Sequence, residues 1–157
     1  SSSVAVIKVG GTTDVEMTER KHRIEDALEA VNAAQVEGVV PGGGTALLRA
    51  SQKIAFMTED GEDKEQVKGA LIVREACSAP IIQMAANADE SADLIIKEVL
   101  ASRNNFGWDF KDGCLTNLSD KGIIDPVKVT RIALQNAASC AGTLITTNFG
   151  IIQTEDK

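Results

Sequence analysis

The strongest constraint on this chain is one long uninterrupted segment and the stop that follows it. Residues Thr13 to Glu37, T-D-V-E-M-T-E-R-K-H-R-I-E-D-A-L-E-A-V-N-A-A-Q-V-E, contain neither glycine nor proline, and G-V-V-P-G-G-G follows at once. Thr13 and Glu16 stand three apart, as a capping box requires, and Asp14 and Glu16 suit the positive end of a helix. The spacing predicts a helix from about Asp14 to Glu37, roughly 36 Å long at the usual rise. Gly38 supplies a residue that tolerates a left-handed cap. Ile24, Leu28 and Val31, with Ala27 and Ala34, follow helical spacing and mark the expected buried stripe. Asp26 falls on the opposite face with His22, Ala30 and Ala33. Pro41 and the glycines forbid continuation, and a second helix resumes at Thr45 and runs through Met57.

The rest of the chain is read in the same way. Val4 to Val9 (V-A-V-I-K-V), bounded by Gly10-Gly11, predicts a strand. Thr58 to Asp63 reads as a loop, and Lys64 to Cys77 as a helix with Val67, Ala70, Leu71 and Val73 apolar. Pro80 fits the first turn of a short helix ending near Asn87. Another helix is expected from about Glu90 to Ala101. F-G-W-D-F followed by K-D-G suggests a hairpin around Asp112-Gly113. A helical turn or two through Leu118 should stop at Gly122. Asp125 as N-cap and Pro126 at the first position then open a last long helix, with Val129, Ile132, Ala133, Ala137 and Cys140 inward. Thr143 to Ile152 predicts a closing strand and T-E-D-K a tail. The expected fold is mainly α, with strands at the two ends.

Charge and cysteines exclude some functions. Sixteen basic residues against twenty-three acidic ones leave a net charge of −7, the wrong sign for a nucleic-acid surface. A nucleotide is not excluded, because a few backbone amides can hold one locally. Three scattered cysteines without a C-x-x-C arrangement read as reduced thiols, and no metal site is expected. No apolar run approaches the ~20 residues needed to span a bilayer, so no membrane is expected. Ser1-Ser2-Ser3 does not open a signal peptide and looks like a cut end.

Few residues promise chemistry on local grounds alone. Asp26, mid-helix with no cap to make, is either a solvated charge paired with His22 or a carboxylate aimed at a water or a metal-bound phosphate. Gly42 to Gly44 is either a tight turn or bare backbone that can approach a ligand and offer amide donors. Asp125 is explained by its cap, and His22 is single and exposed. V-I-K-V-G-G-T resembles the phosphate loop opening of amino-acid kinases, but that fold needs alternating strands and helices that the next hundred residues lack.

Five stretches in order do more than any one motif. V-A-V-I-K-V-G-G-T, E-R-K-H-R-I-E-D-A-L-E-A, E-G-V-V-P-G-G-G-T-A-L-L-R, G-I-I-D-P-V-K-V-T-R and A-L-Q-N-A-A-S-C-A-G closely resemble the C-terminal third of a GroEL-type group I chaperonin and cover nearly the whole chain. The resemblance implies a multihelical equatorial-domain-like bundle with a small β-hairpin, preceded by a strand and long helix. Residues 1–38 would be the returning segment of an intermediate domain, and 39–157 the C-terminal part of an ATP-binding equatorial domain. It implies that Asp26 positions the attacking water. Gly42 and Gly43 would lie at the nucleoside, Asp125 would hold the ribose and Ile123 would pack near the base. ATP or ADP with Mg²⁺ and K⁺ are the implied cofactors. The implied partners are identical subunits in stacked rings, non-native polypeptides and a lid co-chaperonin, in the cytoplasm or in a mitochondrial matrix or plastid stroma.

Two departures stand against that pattern. Where the family carries Asn-Ala-Ala beside the adenine, this chain has Asp109, Phe110 and Lys111, which puts the base pocket in doubt. The family's phosphate loop, metal-binding aspartate and potassium site lie in its N-terminal segment, so these residues by themselves are expected to bind no cofactor and hydrolyse nothing. The rival reading is a helical oligomerisation or interaction module without a nucleotide.

Overall fold

The computed structural model describes residues 3–54 and 63–152. The expected end of the second helix at Ala55 to Met57, most of the Thr58–Asp63 loop and the T-E-D-K tail lie outside these. Helix α1, Asp14–Glu37, has the predicted ends. Thr13 Oγ1 accepts from the Glu16 amide at 3.2 Å, and Glu16 Oε2 reaches back to the Thr12 amide at 2.9 Å, one residue short of a full capping box. Gly38, at φ 83°, closes the helix by donating its N–H to the Ala34 carbonyl at 2.8 Å. Glu16–Arg20, Glu19–Arg23 and Lys21–Glu25 pair along the exposed surface, each contributing a few tenths of a kcal/mol.

Only part of the predicted α1 stripe is covered: Ile24 and Ala34 are half-buried and Ala27 is exposed. No α1 residue is fully buried, and Leu28 and Val31 stand 51% and 55% exposed. The half-buried Ala30 and Ala33, on the Asp26 side, turn towards the last helix instead. The chain crossover decides this. Glu37 accepts two hydrogen bonds from Arg131, at 3.0 and 2.5 Å, and the Gly38 carbonyl accepts from the Val127 amide at 3.1 Å. Those contacts bring the last helix against the alanine side, where small side chains permit close approach.

After Gly38, strand β1 (Val39–Pro41) runs into the glycines, and helices α2 (Thr45–Ile54), α3 (Lys64–Ala76), α4 (Ala79–Asn87) and α5 (Ala92–Ala101) follow. Asp63 caps α3 by accepting from the Glu65 amide at 3.2 Å, and Pro80 occupies the first turn of α4. The core lies where α2, α4 and α5 meet: Leu48, Ile81, Ala85, Ile95 and Val99 are buried, and Trp108, Phe110 and Leu115 pack against them. Burial of each large side chain contributes about 1.5–3 kcal/mol.

Strands β2 (Phe106–Asp109) and β3 (Cys114–Asn117) form the expected hairpin, Phe106 opposite Asn117 and Asp109 opposite Cys114. The helical turn expected through Leu118 is therefore strand β3 instead, because residues 114–117 find a ladder partner in β2. Strand β4 (Ile124–Pro126) pairs antiparallel with β1, setting Val40 opposite Asp125, and α6 covers Val127–Ile145.

Three further expectations fail. Val4 to Val9 forms no strand; Val4 and Val6 are 89% and 79% exposed. Among the described residues nothing pairs with it, and β-branched composition without a ladder partner makes no sheet. The closing strand is absent too: α6 continues through Ile145, helped by the Thr143, Thr146 and Thr147 hydroxyls, which donate to carbonyls one turn back. Finally, no α6 residue is fully buried; Ile132 is half-buried, while Val129, Ala133, Ala137 and Cys140 are exposed.

Candidate functional site

The glycine run is held by the β1–β4 ladder. The Gly42 amide donates to the Ile123 carbonyl at 3.0 Å, and the Thr45 amide to the Gly42 carbonyl at 3.1 Å, so the loop folds back to start α2. Gly43 and Gly44 have φ of 63° and 73°, the left-handed region that favours glycine. A Cβ on Gly42 would meet the Ile123 carbonyl at 3.2 Å and Asp125 Oδ1 at 3.3 Å; one on Gly44 would press on the Ile81 amide at 3.0 Å. These contacts set Gly42 against Ile123 and Asp125, and Gly43 shares a cleft with Asp125.

Asp125 is not an N-cap. Pro126 holds that position, and no side chain caps α6. Asp125 belongs to β4, where the antiparallel ladder aims its side chain at the glycine loop, and among the described residues no donor reaches its carboxylate. Burial pushes its pKa above the ordinary value. The local explanation that made Asp125 dull is therefore gone: a half-buried, unpaired carboxylate faces a cleft of about 290 Å³ that Gly43, Gly44, Leu47, Val129 and Thr130 also line.

Asp26 stands in a different cleft. That space, about 660 Å³ between α1 and α6, is lined by Asp26, Glu29, Ala33, Lys128 and Ile132 among others. Val129 and Ala133 of α6 line both clefts, so the two adjoin along one stretch of α6. The structure does not bring Asp26 into the cleft of Gly43 and Asp125. Among the described residues no ion pair joins it to His22 either.

The three residues at the hairpin turn have separate roles. Asp109 is 5% exposed, its Oδ1 accepting from the Lys111 and Asp112 amides at 3.0 and 3.3 Å, while Oδ2 lies 3.5 Å from Lys121 Nζ. Burial pushes the Asp109 pKa up, but those amides and Lys121 outweigh it and hold the carboxyl below its ordinary range. Phe110 packs on the core, and Lys111 is exposed.

Sequence reasoning passed over Arg49, whose guanidinium donates to the Val99, Arg103 and Phe106 carbonyls at 2.8, 2.6 and 2.9 Å, closing the C-terminus of α5. Partners some fifty positions away leave no local signal. Trp108 was missed as well: its indole N–H donates to Glu90, and its carbonyl lies 3.5 Å from where a Gly43 Cβ would stand. Among the described residues, no three His, Cys, Asp or Glu side chains gather as metal ligands, and no helix is long and apolar enough to cross a membrane.

The TCP-1/cpn60 chaperonin family model matches residues 1–155, and the chain belongs to that family. A group III chaperonin solved in the open state is similar at 28% identity, with a TM-score of 0.78 over 91% of this chain. The chain spans 30% of that chaperonin's length.

Proposed function

We propose that this chain is the C-terminal third of a group I chaperonin subunit that couples ATP to the folding of non-native polypeptides. The observation that carries the nucleotide reading is the unpaired, half-buried Asp125 set against open glycine backbone. The group I assignment rests on the order of the five sequence stretches. Residues 1–38 act as an intermediate-domain segment and 39–157 as part of the equatorial domain, with Gly38, at φ 83°, between them.

The cleft fits the sugar and base end of a nucleotide. Asp125 accepts hydrogen bonds from ribose hydroxyls, and Gly42 and Gly43 admit a ligand to their backbone because they carry no Cβ. Ile123 contributes its carbonyl to the loop and apolar surface beside it. In this reading the phosphates and their cations are held by donors from outside this segment. When bound, Mg²⁺ would neutralise phosphate charge. Asp26 reaches a nucleotide through movement of α1 about Gly38, which would carry its carboxylate from its own cleft to the adjoining one to orient a water. The exposed α1 stripe and the apolar end of α6 await cover by the rest of the subunit, by neighbouring subunits of stacked rings, or both. Non-native polypeptide and a lid co-chaperonin engage the parent elsewhere, in the cytoplasm or an organelle matrix.

Titration of labelled ATP against the full-length parent should saturate, and Asp125→Ala should weaken it. This segment alone should release no phosphate from Mg²⁺-ATP; steady turnover lost on Asp26→Ala would overturn that division of labour. The locked Asp109 turn favours a second reading, an interaction module without nucleotide, which predicts no saturable binding by the parent.

A further inference from the structure

Asp112-Gly113 lies in the turn that joins the two hairpin strands, and an aspartate followed by glycine is the pairing most open to backbone isomerisation. Glycine has no Cβ to shield its amide nitrogen from the carboxyl group before it. In that reaction the Gly113 nitrogen attacks Asp112 Cγ. An N–Cγ bond forms, a Cγ–O bond breaks, and the amide proton leaves with the carboxyl hydroxyl as water. Water then reopens the five-membered ring. Where it breaks the bond from the Gly113 nitrogen to the main-chain carbonyl carbon of Asp112, the chain runs on through the side chain as isoaspartate. Only water leaves and returns, so the step needs no other reactant.

Access is not what holds the reaction back. The Asp112 side chain is 45% exposed, and Gly113 is exposed as well. Two contacts oppose it instead. The Gly113 N–H donates to the Asp109 carbonyl at 2.8 Å, so the attacking nitrogen is engaged. Lys121 Nζ donates to Asp112 Oδ2 at 2.5 Å and holds the carboxylate form, which has no hydroxyl to lose as water. Lys121 is steadied in turn by Asp109 Oδ2 at 3.5 Å, while Asp109 Oδ1 accepts from the Asp112 amide at 3.3 Å. We propose that Asp112-Gly113 is a modification site for isoaspartate formation, and that the Lys121 ion pair sets its rate in the folded chain. Isoaspartate inserts a methylene into the main chain beside the Asp109–Cys114 pair, and the Gly113–Asp109 hydrogen bond cannot keep its geometry. The Trp108 carbonyl, one residue further on, faces Gly43, so a change at this exposed turn reaches the glycine loop.

Peptide mapping with electron-transfer fragmentation, which tells aspartate from isoaspartate, reads the rate on the full chain during warm incubation. Lys121→Met should speed isomerisation at Asp112 by about two- to fivefold, the range an exposed ion pair can hold back. Lys121→Arg, which keeps the charge, should stay close to the parent. Lys68→Met, which removes an exposed pair with Glu65 elsewhere, should change nothing. Asp112→Glu cannot close a five-membered ring and should yield no isomer there. If circular dichroism shows that Lys121→Met disturbs the fold, the unaltered chain decides. Concentrated salt screens the exposed pair, so it should speed the reaction in the folded chain and leave the urea-unfolded chain unchanged. A rate at Asp112 that ignores both residue 121 and salt would overturn the inference. So would a folded chain that isomerises there as fast as the urea-unfolded one.

Discussion

Gly107 sits where the hairpin meets α2, and adding one methyl there should unsettle the fold. A Cβ at Gly107 would stand 2.3 Å from Thr45 Oγ1 and 2.5 Å from Leu118 Cδ1, and both neighbours are fully buried. Ordinary carbon contacts lie near 3.5–4.0 Å, so the overlap with Leu118 is about 1 Å. Little can yield. Gly107 is pinned opposite Thr116 in the β2–β3 ladder, and Thr45 opens α2 directly after the glycine loop. Overpacking of this kind costs about 1–3 kcal/mol, and replacing a strand glycine returns roughly 0.5–1 kcal/mol of backbone entropy. The net expectation for Gly107→Ala is a loss of about 1–2 kcal/mol, or roughly 5 °C in Tm for a chain of this size. Gly69, inside α3 with nothing within 4 Å of its ideal Cβ, is the control; Gly69→Ala should stabilise by up to about 1 kcal/mol through helix propensity. Thermal melts followed by far-UV circular dichroism compare the two. A Gly107→Ala protein that melts with the parent, alongside an unchanged Gly69→Ala, would refute this account of the α2–hairpin contact.

Arg49→Met should destabilise by about 2–3 kcal/mol in urea titrations, since it leaves the α5 carbonyls without their charged donor, and Arg49→Lys should recover only part of that. The Arg131 hydrogen bond holds the Glu37 pKa below its ordinary 4.5. A lowered native pKa means the contribution is present above that ordinary value and lost as pH falls through the native one. The protection of the Val127 amide, whose N–H reaches the Gly38 carbonyl, should therefore fall on acidification relative to the intrinsic exchange rate at each pH, and Glu37→Gln should flatten the response. Asp125 runs the other way: its raised native pKa means ionisation costs stability as pH rises through it. Asp125→Asn should raise Tm near neutral pH more than at pH values below the ordinary carboxylate range, while weakening nucleoside binding.

How much of this was legible in the sequence depends on how local the cause is. The ends of α1 were readable because Thr13, Glu16 and Gly38 satisfy backbone groups within four residues of themselves. The hairpin was readable because K-D-G dictates its turn. The face of α1 was not: periodicity reports which face suits burial, and Arg131, ninety-four positions away, decides which face is approached. Asp125-Pro126 looked like a helix start because both residue types favour one, and a ladder to Val40 took Asp125 instead. The contact of the glycine loop with Ile123 and Asp125, the separate cleft of Asp26 and the separate fates of Asp109, Phe110 and Lys111 needed coordinates.

Trp108 carries a consequence of a different kind. It is the single tryptophan of the chain, its indole held by Glu90 and its carbonyl set against Gly43. Indole emission responds to the charge and polarity around the ring, so the molecule contains its own optical probe one contact away from the glycine loop. A ligand that settles on Gly43 should shift that emission without any label, and with no second tryptophan to dilute the signal.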